Sequence, residues 1–410
     1  MQASTSNYDK RLVGWLSATQ LITWGSVFYG FGVLLAPVEQ ELGLTRAEAS
    51  LAFSLGLLAE GVLAYPVGRW IDRGHERRVM TGGSLAVALG LALHGFVQGP
   101  VGFYAVWMLL GAALAGTLYS PAFAVVTRRF PGDFRRAIIT LTFLGGLAST
   151  VFIPLTAWLI DAHGWRTAVW LLAALHLAVC VPIHALVLRD APPPVAASTA
   201  AHTGEHAETA PPTGIAPLLR SPAFLGIGVF VVLMMGVTTA LPAHMVSLLR
   251  ESGLEPAWAV GIPAAIGLMQ VFGRLMLFFF EPHFDVHLAN RLIPCLIPLG
   301  LVFLLAGSHA GPDPSPWLGL LFVACYGVGN GMLTIVKGTS MAQYVSRTHF
   351  ATLNGVLGLP SAVARAVAPL ALGLWWSRDA GYTLGLWLML GASLLAVAAL
   401  WLAQRMRLVS

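Results

Sequence analysis

Charge is what this chain has least of. Only 10% of its 410 residues are Asp, Glu, Lys or Arg, while 57% are hydrophobic and the mean hydropathy is +0.76. Soluble domains carry about 25% charged residues, so an ordinary water-soluble fold is excluded. Cysteine is nearly missing too. Cys180, Cys295 and Cys325 lack the paired spacing of a disulfide framework or a metal site, which leaves packing as their role. There is no P-loop, no nucleophile elbow and no cluster of metal ligands. Neither an enzyme nor a nucleotide-driven pump is therefore expected, and no metal or cofactor. No cleavable leader is expected either, because the first apolar stretch is too long and lacks a small-residue cleavage site.

Long hydrophobic runs, by contrast, are plentiful. Twelve stretches approach or exceed the roughly 20 residues that cross a hydrocarbon core of about 30 Å. They are Leu12–Pro37, Ala49–Ile71, Val79–Val97, Gly102–Val126, Ala137–Ile160, Thr167–Leu188, Pro222–Leu249, Ala257–Phe280, Arg291–Gly307, Pro316–Val336, Thr352–Trp376 and Tyr382–Ala403. The 44 glycines and 25 prolines are ordinary within such bundles, where neighbouring helices and water satisfy freed backbone groups. Ten-residue segments of alternating polarity, the mark of a membrane barrel, do not occur. The expected fold class is an all-α membrane protein of twelve transmembrane helices.

Basic residues in short loops stay on the cytoplasmic side of a membrane. With the N-terminus inside, about 17 of the 23 Lys and Arg residues fall in cytoplasmic segments, and only Arg46, Arg166, Arg250 and Arg378 fall in outer loops. Both termini are thus expected in the cytoplasm, the fit being to a bacterial inner membrane. The pI near 9.4 reflects this topology and contact with lipid, not nucleic-acid binding.

Between Leu188 and Pro222 the chain becomes rich in Pro, Ala, Thr and Gly, the composition of a disordered linker. The expected organisation is a six-helix bundle over 1–189, a linker over 190–221 and a second bundle over 222–410. The halves are weakly alike at an offset of about 214 residues: RRAIITLTFLGG reaches Pro154-Leu155, and HFATLNGVLGLP reaches Pro369-Leu370. Similar halves suggest two parallel bundles with a substrate site between them near the midplane.

Three ionisable residues stand inside apolar runs: Glu60, Arg274 and Arg365. Holding a guanidinium near the bilayer centre costs roughly 2.5 to 3.5 kcal/mol on insertion scales. Both arginines are therefore expected to face a wet cavity and an anion, although Arg365 could equally tie helices together. Glu60 is a candidate proton-coupling group or an internal partner for an arginine. Gln270, Trp24, Tyr29, Tyr119, Asn330 and Asn354 are candidates to complete the pocket, with Thr142 and His244 also eligible. His94, His176, His184 and His244 otherwise read as interior polar packing. Lys337, at the inner end of the tenth run, reads as snorkelling to the interface.

The loop after the second run carries GRWIDRGHERR, with Gly68, Asp72, Arg73, Arg77 and Arg78. It resembles the signature of the major facilitator superfamily, with one residue inserted and Glu76 in place of the usual glycine. By that resemblance the loop gates: Gly68 lets helices approach, and Asp72 pairs with an arginine to latch the cytoplasmic face. Within the superfamily the chain is similar to the monocarboxylate transporter and oxalate/formate antiporter branch, through SPAFAVVTRRF, the Arg135-Arg136 pair, LGGLAS, HGWR and Gly273-Arg274-Leu275. The resemblance implies that Arg274 binds the substrate carboxylate. It also implies a cation on the eleventh helix, about one turn from Arg365. Gln270 replaces the aspartate that animal members carry one turn before that arginine, and Val33 stands nearest their first-helix lysine. Coupling by an Asp-Arg pair is not carried over.

These readings imply a secondary transporter that moves a small mono- or dicarboxylate by alternating access, coupled to a proton or a counter-anion. An exporter of drugs or metabolites with structural arginines is the alternative; a non-transporting receptor is a third.

Overall fold

A computed structural model describes residues 9–130, 134–189, 215–280, 285–308, 316–346 and 350–407. Its helices are labelled by membrane crossing: α1 (Lys10–Leu42), α2 (Arg46–Trp70), α3 (Glu76–His94), α4 (Pro100–Arg129), α5 and α6 (the two arms of 134–187), α7 (Pro222–Glu251), α8 (Pro256–Phe280), α9 (His287–Gly307), α10 (Pro316–Tyr344), α11 (Phe350–Leu374) and α12 (Thr383–Arg405). Ten described helical stretches are long and apolar enough to cross a membrane. One of them, Ala137–Val187, bends back on itself at Gly164, whose φ of 76° suits glycine. Counting its two arms separately and adding α3 gives the twelve crossings expected. The protein is an all-α integral membrane protein. Most of the linker expected over 190–221 lies outside the described residues.

Helix starts follow local sequence. Thr45 and Glu48 form a reciprocal capping box at α2. Ser221 accepts from the Phe224 amide before Pro222 opens α7. The tenth helix runs to Tyr344, eight residues past the expected end at Val336, because Gly338, Thr339 and Ser340 remain helical. Lys337 is thereby drawn into the helix body. Its Nζ lies 3.1 Å from Met235 Sδ of α7, which corrects the expectation that it snorkels to the interface.

Buried side chains gather into separate cores. The largest draws only on residues between Ala223 and Ala403; another spans Ile22 to Cys180, with Ala243 and Ala366 alone joining it from α7 and α11. Interior histidines settle on hydroxyls: His176 on Ser26 at 2.7 Å, His184 on Ser84 at 2.8 Å.

Three crossings join the halves: α2 with α11, α5 with α8, and α1 with α7, where a Cβ at Gly32 would stand 2.6 Å from the Pro242 carbonyl. A side chain at Gly373 would meet Ser50 and the Arg46 carbonyl, and one at Gly267 the Gly146 carbonyl. Thr150 donates to the Ala264 carbonyl at 2.7 Å. At the face remote from the termini, Arg46 pairs with Glu39 of its own half at 2.6 Å and with Glu251 of the other at 2.9 Å. Arg46 also donates to the Tyr382 hydroxyl and lies over the Trp376 ring. His244 completes the closure, its Nε2 donating to the Pro369 carbonyl at 2.9 Å and its Nδ1 accepting from Tyr382 at 3.0 Å. From this face, contacts between the halves along these crossings continue to Glu60 with Arg365, Gly61 with Ala362, and Thr142 with Arg274. The contacts between the halves gather at the face remote from the termini and at mid-depth.

Candidate functional site

The site is built where α1, α4, α5, α8 and α10 converge at mid-depth. Helix α1 widens to π geometry over Trp24–Tyr29, a distortion that often marks functional positions because it re-aims side chains. Trp24 and Tyr29, at its two ends, belong to one aromatic group: Trp24 lies 4.9 Å from Phe28 and 5.1 Å from Tyr119, and Phe28 lies 5.4 Å from Tyr29, between ring centroids. The Trp24 indole N–H is buried and has no hydrogen-bond partner among the described residues. The Tyr29 hydroxyl reaches the Gln270 side chain and the field of Arg274. Tyr119 lies across Gly145 and also faces Arg274.

Arg274 crosses from α8 to α5. Its Nη1 donates to the Thr142 carbonyl and its Nε, at 3.4 Å, to the Gly331 carbonyl of α10. Room for it comes from Gly146, where a Cβ would stand 2.9 Å from Nη1. Among the described residues no carboxylate pairs with Arg274. A guanidinium has five N–H donors, and two carbonyls leave most of them for a ligand.

Arg365 is differently placed. Its Nη2 lies 2.9 Å from Glu60 Oε2, joining α11 to α2 across the halves, with the side chains 21% and 13% exposed. Of the two roles open to each residue, the observed contact is the internal ion pair. Asn330 precedes the Gly331 that touches Arg274. Asn354 lies eleven residues before Arg365, about 16 Å along the helix, and so sits apart toward the terminal face. Val33, nearest to the lysine of relatives, is buried in an apolar cluster with Ile153, Ala157, Val246 and Ala264. Among the described residues no group of His, Cys, Asp and Glu could hold a metal ion.

The family model of the Major Facilitator Superfamily matches residues 16–282. The chain belongs to the major facilitator superfamily. Among relatives, this superfamily chain is 28% identical over 274 residues to monocarboxylate transporter 13 of Bos taurus, covering 64% of the chain and 60% of that protein. It is 21% identical over 360 residues to the uncharacterized MFS-type transporter YcxA of Bacillus subtilis, covering 86% and 85%. It is 28% identical over 147 residues to a gallate transporter of Pseudomonas putida, covering 34% and 32%. Solved structures share the fold: a bacterial homolog of the human lysosomal transporter Spinster at a TM-score of 0.72 and 15% identity, covering 98% of each chain, and the nucleoside transporter NupG at 0.72 and 17%, covering 96% and 99%.

In this superfamily chain the signature loop is arranged differently from expectation. The Asp72 side chain lies outside the described residues. Glu76, fully buried, is the acid that collects the arginines: Arg129 at 2.6 Å and Arg128 at 3.3 Å, both from the end of α4. Arg77 donates to the Ala185 carbonyl of α6 at 2.7 Å, while Arg73 and Arg78 are exposed. A Cβ at Gly68 would meet nothing within 4 Å, so Gly68 mediates no close approach here. Gly74 takes a left-handed φ of 89° that turns the loop. These contacts all stay within the first half. Gly146 and Glu76 are site and loop residues that sequence reading missed. The arginines Glu76 holds lie more than fifty residues further along the chain, not among the basic residues flanking it.

Proposed function

We propose that the protein is a secondary transporter that binds a small organic anion at Arg274 and moves it by alternating access. The observation that carries this reading is the Arg274 guanidinium, held at mid-depth by carbonyls of α5 and α10 without a carboxylate among the described residues. An anion would supply the missing charge, and Tyr29, Tyr119, Gln270 and the Trp24 indole N–H would supply neutral donors and aromatic walls. The named substrates of similar proteins, monocarboxylates and gallate, are of this class. Residues 1–189 and 222–410 act as the rocking bundles, joined through 190–221. With the termini in the cytoplasm of a bacterium, the Arg46 cluster is the closed outer gate.

Coupling in this reading runs through Glu60. Protonating its carboxylate releases Arg365 and loosens α2 from α11, so proton entry and gate movement share one contact.

The test is uptake of labelled benzoate, gallate and succinate into proteoliposomes, with and without a pH gradient. Arg274→Ala is expected to lower uptake on the order of 100-fold, as loss of a charge-assisted anchor of about 3 kcal/mol requires. Wild-type rates in that variant, or no uptake of any organic anion by the native protein, would refute the reading.

A further inference from the structure

Among the described residues, Lys337 is a cation within the bundle that the carboxylate reading leaves without work. It lies six residues beyond Gly331, whose carbonyl touches Arg274, on the same helix. That spacing is about 9 Å along the axis, and a helical lysine leans back toward the helix N-terminus, shortening the gap. Its Nζ has a thioether sulfur, Met235 Sδ, as its close partner, although an ammonium carries three strong donors. Among the described residues no carboxylate pairs with it, and Arg365 stands within its electrostatic reach.

Charge balance then decides the matter. Glu60 neutralises Arg365, while Arg274 and Lys337 are each unmatched, so the centre of the bundle carries two positive charges that its described residues do not cancel. Two unmatched cations inside the bundle, one at mid-depth and one about 9 Å from it along α10, are costly unless cargo neutralises them. We propose that Lys337 is the second anion-binding group of the site, in place of the ion-paired Arg365, and that the preferred cargo is a small organic dianion. One acidic group sits on Arg274 and the other on Lys337. This rests on the reading of Arg274 as the carboxylate anchor.

Binding to the purified full-length protein, measured by calorimetry with matched pairs, tests it: succinate against butyrate, and terephthalate against benzoate. The native protein is expected to favour each diacid at least 10-fold. Lys337→Gln is expected to erase that preference by weakening diacids alone, and Lys337→Arg to keep it. Should Lys337→Gln fail to fold, Lys337→Met serves the same comparison. An equal loss for mono- and diacids, or a native protein that does not prefer diacids, overturns the proposal. Arg274→Gln separates the two claims, because it is expected to abolish binding of every acid. If it does so while Lys337→Gln leaves the diacid preference intact, only the Lys337 assignment fails. If it leaves binding unchanged, the Arg274 reading and this inference fall together.

Discussion

At the scale of single residues, the intramembrane ions divide into matched and unmatched. Arg365 and Glu60 are matched, and removing either alone strands the other's charge in a half-buried position. Arg365→Gln is expected to lower stability in detergent on the order of 1–3 kcal/mol, and adding Glu60→Gln to recover more than half. Thermal unfolding of the two singles and the double checks this; strictly additive losses would show that the pair is uncoupled. Arg274 could be read from the chain because a guanidinium among apolar residues is conspicuous wherever its helix lies. Glu60 could be read as an internal partner for an arginine, but not which one, since Glu60 and Arg365 are 305 positions apart and meet only because α2 crosses α11. Glu76 was visible but misjudged. The signature motif points to Asp72, whereas the buried acid Glu76 collects Arg128 and Arg129 from the end of α4.

At the scale of helices, closeness at the shut face depends on small residues. Gly373 of α11 lies where a Cβ would come 2.5 Å from Ser50 Oγ and 3.0 Å from the Arg46 carbonyl. Gly373→Val is expected to wedge α2 from α11, opening that face and slowing turnover. Cysteine accessibility at Ser50 from that side reports it, with labelling rising several-fold; unchanged labelling would mean that the crossing tolerates bulk. Hydropathy located the helices, yet it ended α10 too early, because the polar run after Lys337 resembles a loop while its backbone bonds stay helical. That misplacement moved a lysine from the bundle to the interface on paper.

For the whole molecule, the asymmetry of basic residues sets orientation in the bilayer. Lys10, Arg69 and Arg405 lie at the terminal face, with Arg46 and Arg250 opposite. Single cysteines at Arg405 and Arg378 in a cysteine-free background are expected to react with impermeant reagents from the cytoplasm and from outside, respectively. The reverse pattern would invert the assignment of inner and outer gates without disturbing the site itself. The twelve-helix plan was legible because lipid permits few solutions for an apolar chain. The conformational state was not, since it depends on contacts between residues hundreds of positions apart.

Arg46 holds one carboxylate on its own half and one on the other, and the two differ in access to water: the Glu39 side chain is 10% exposed and Glu251 33%. Dissolved ions weaken the better-hydrated pair more. Salinity in the compartment that Arg46 faces therefore tilts the balance between the open and shut forms, while Glu39 keeps the guanidinium company in either. The saltier that medium, the more readily the molecule turns toward it.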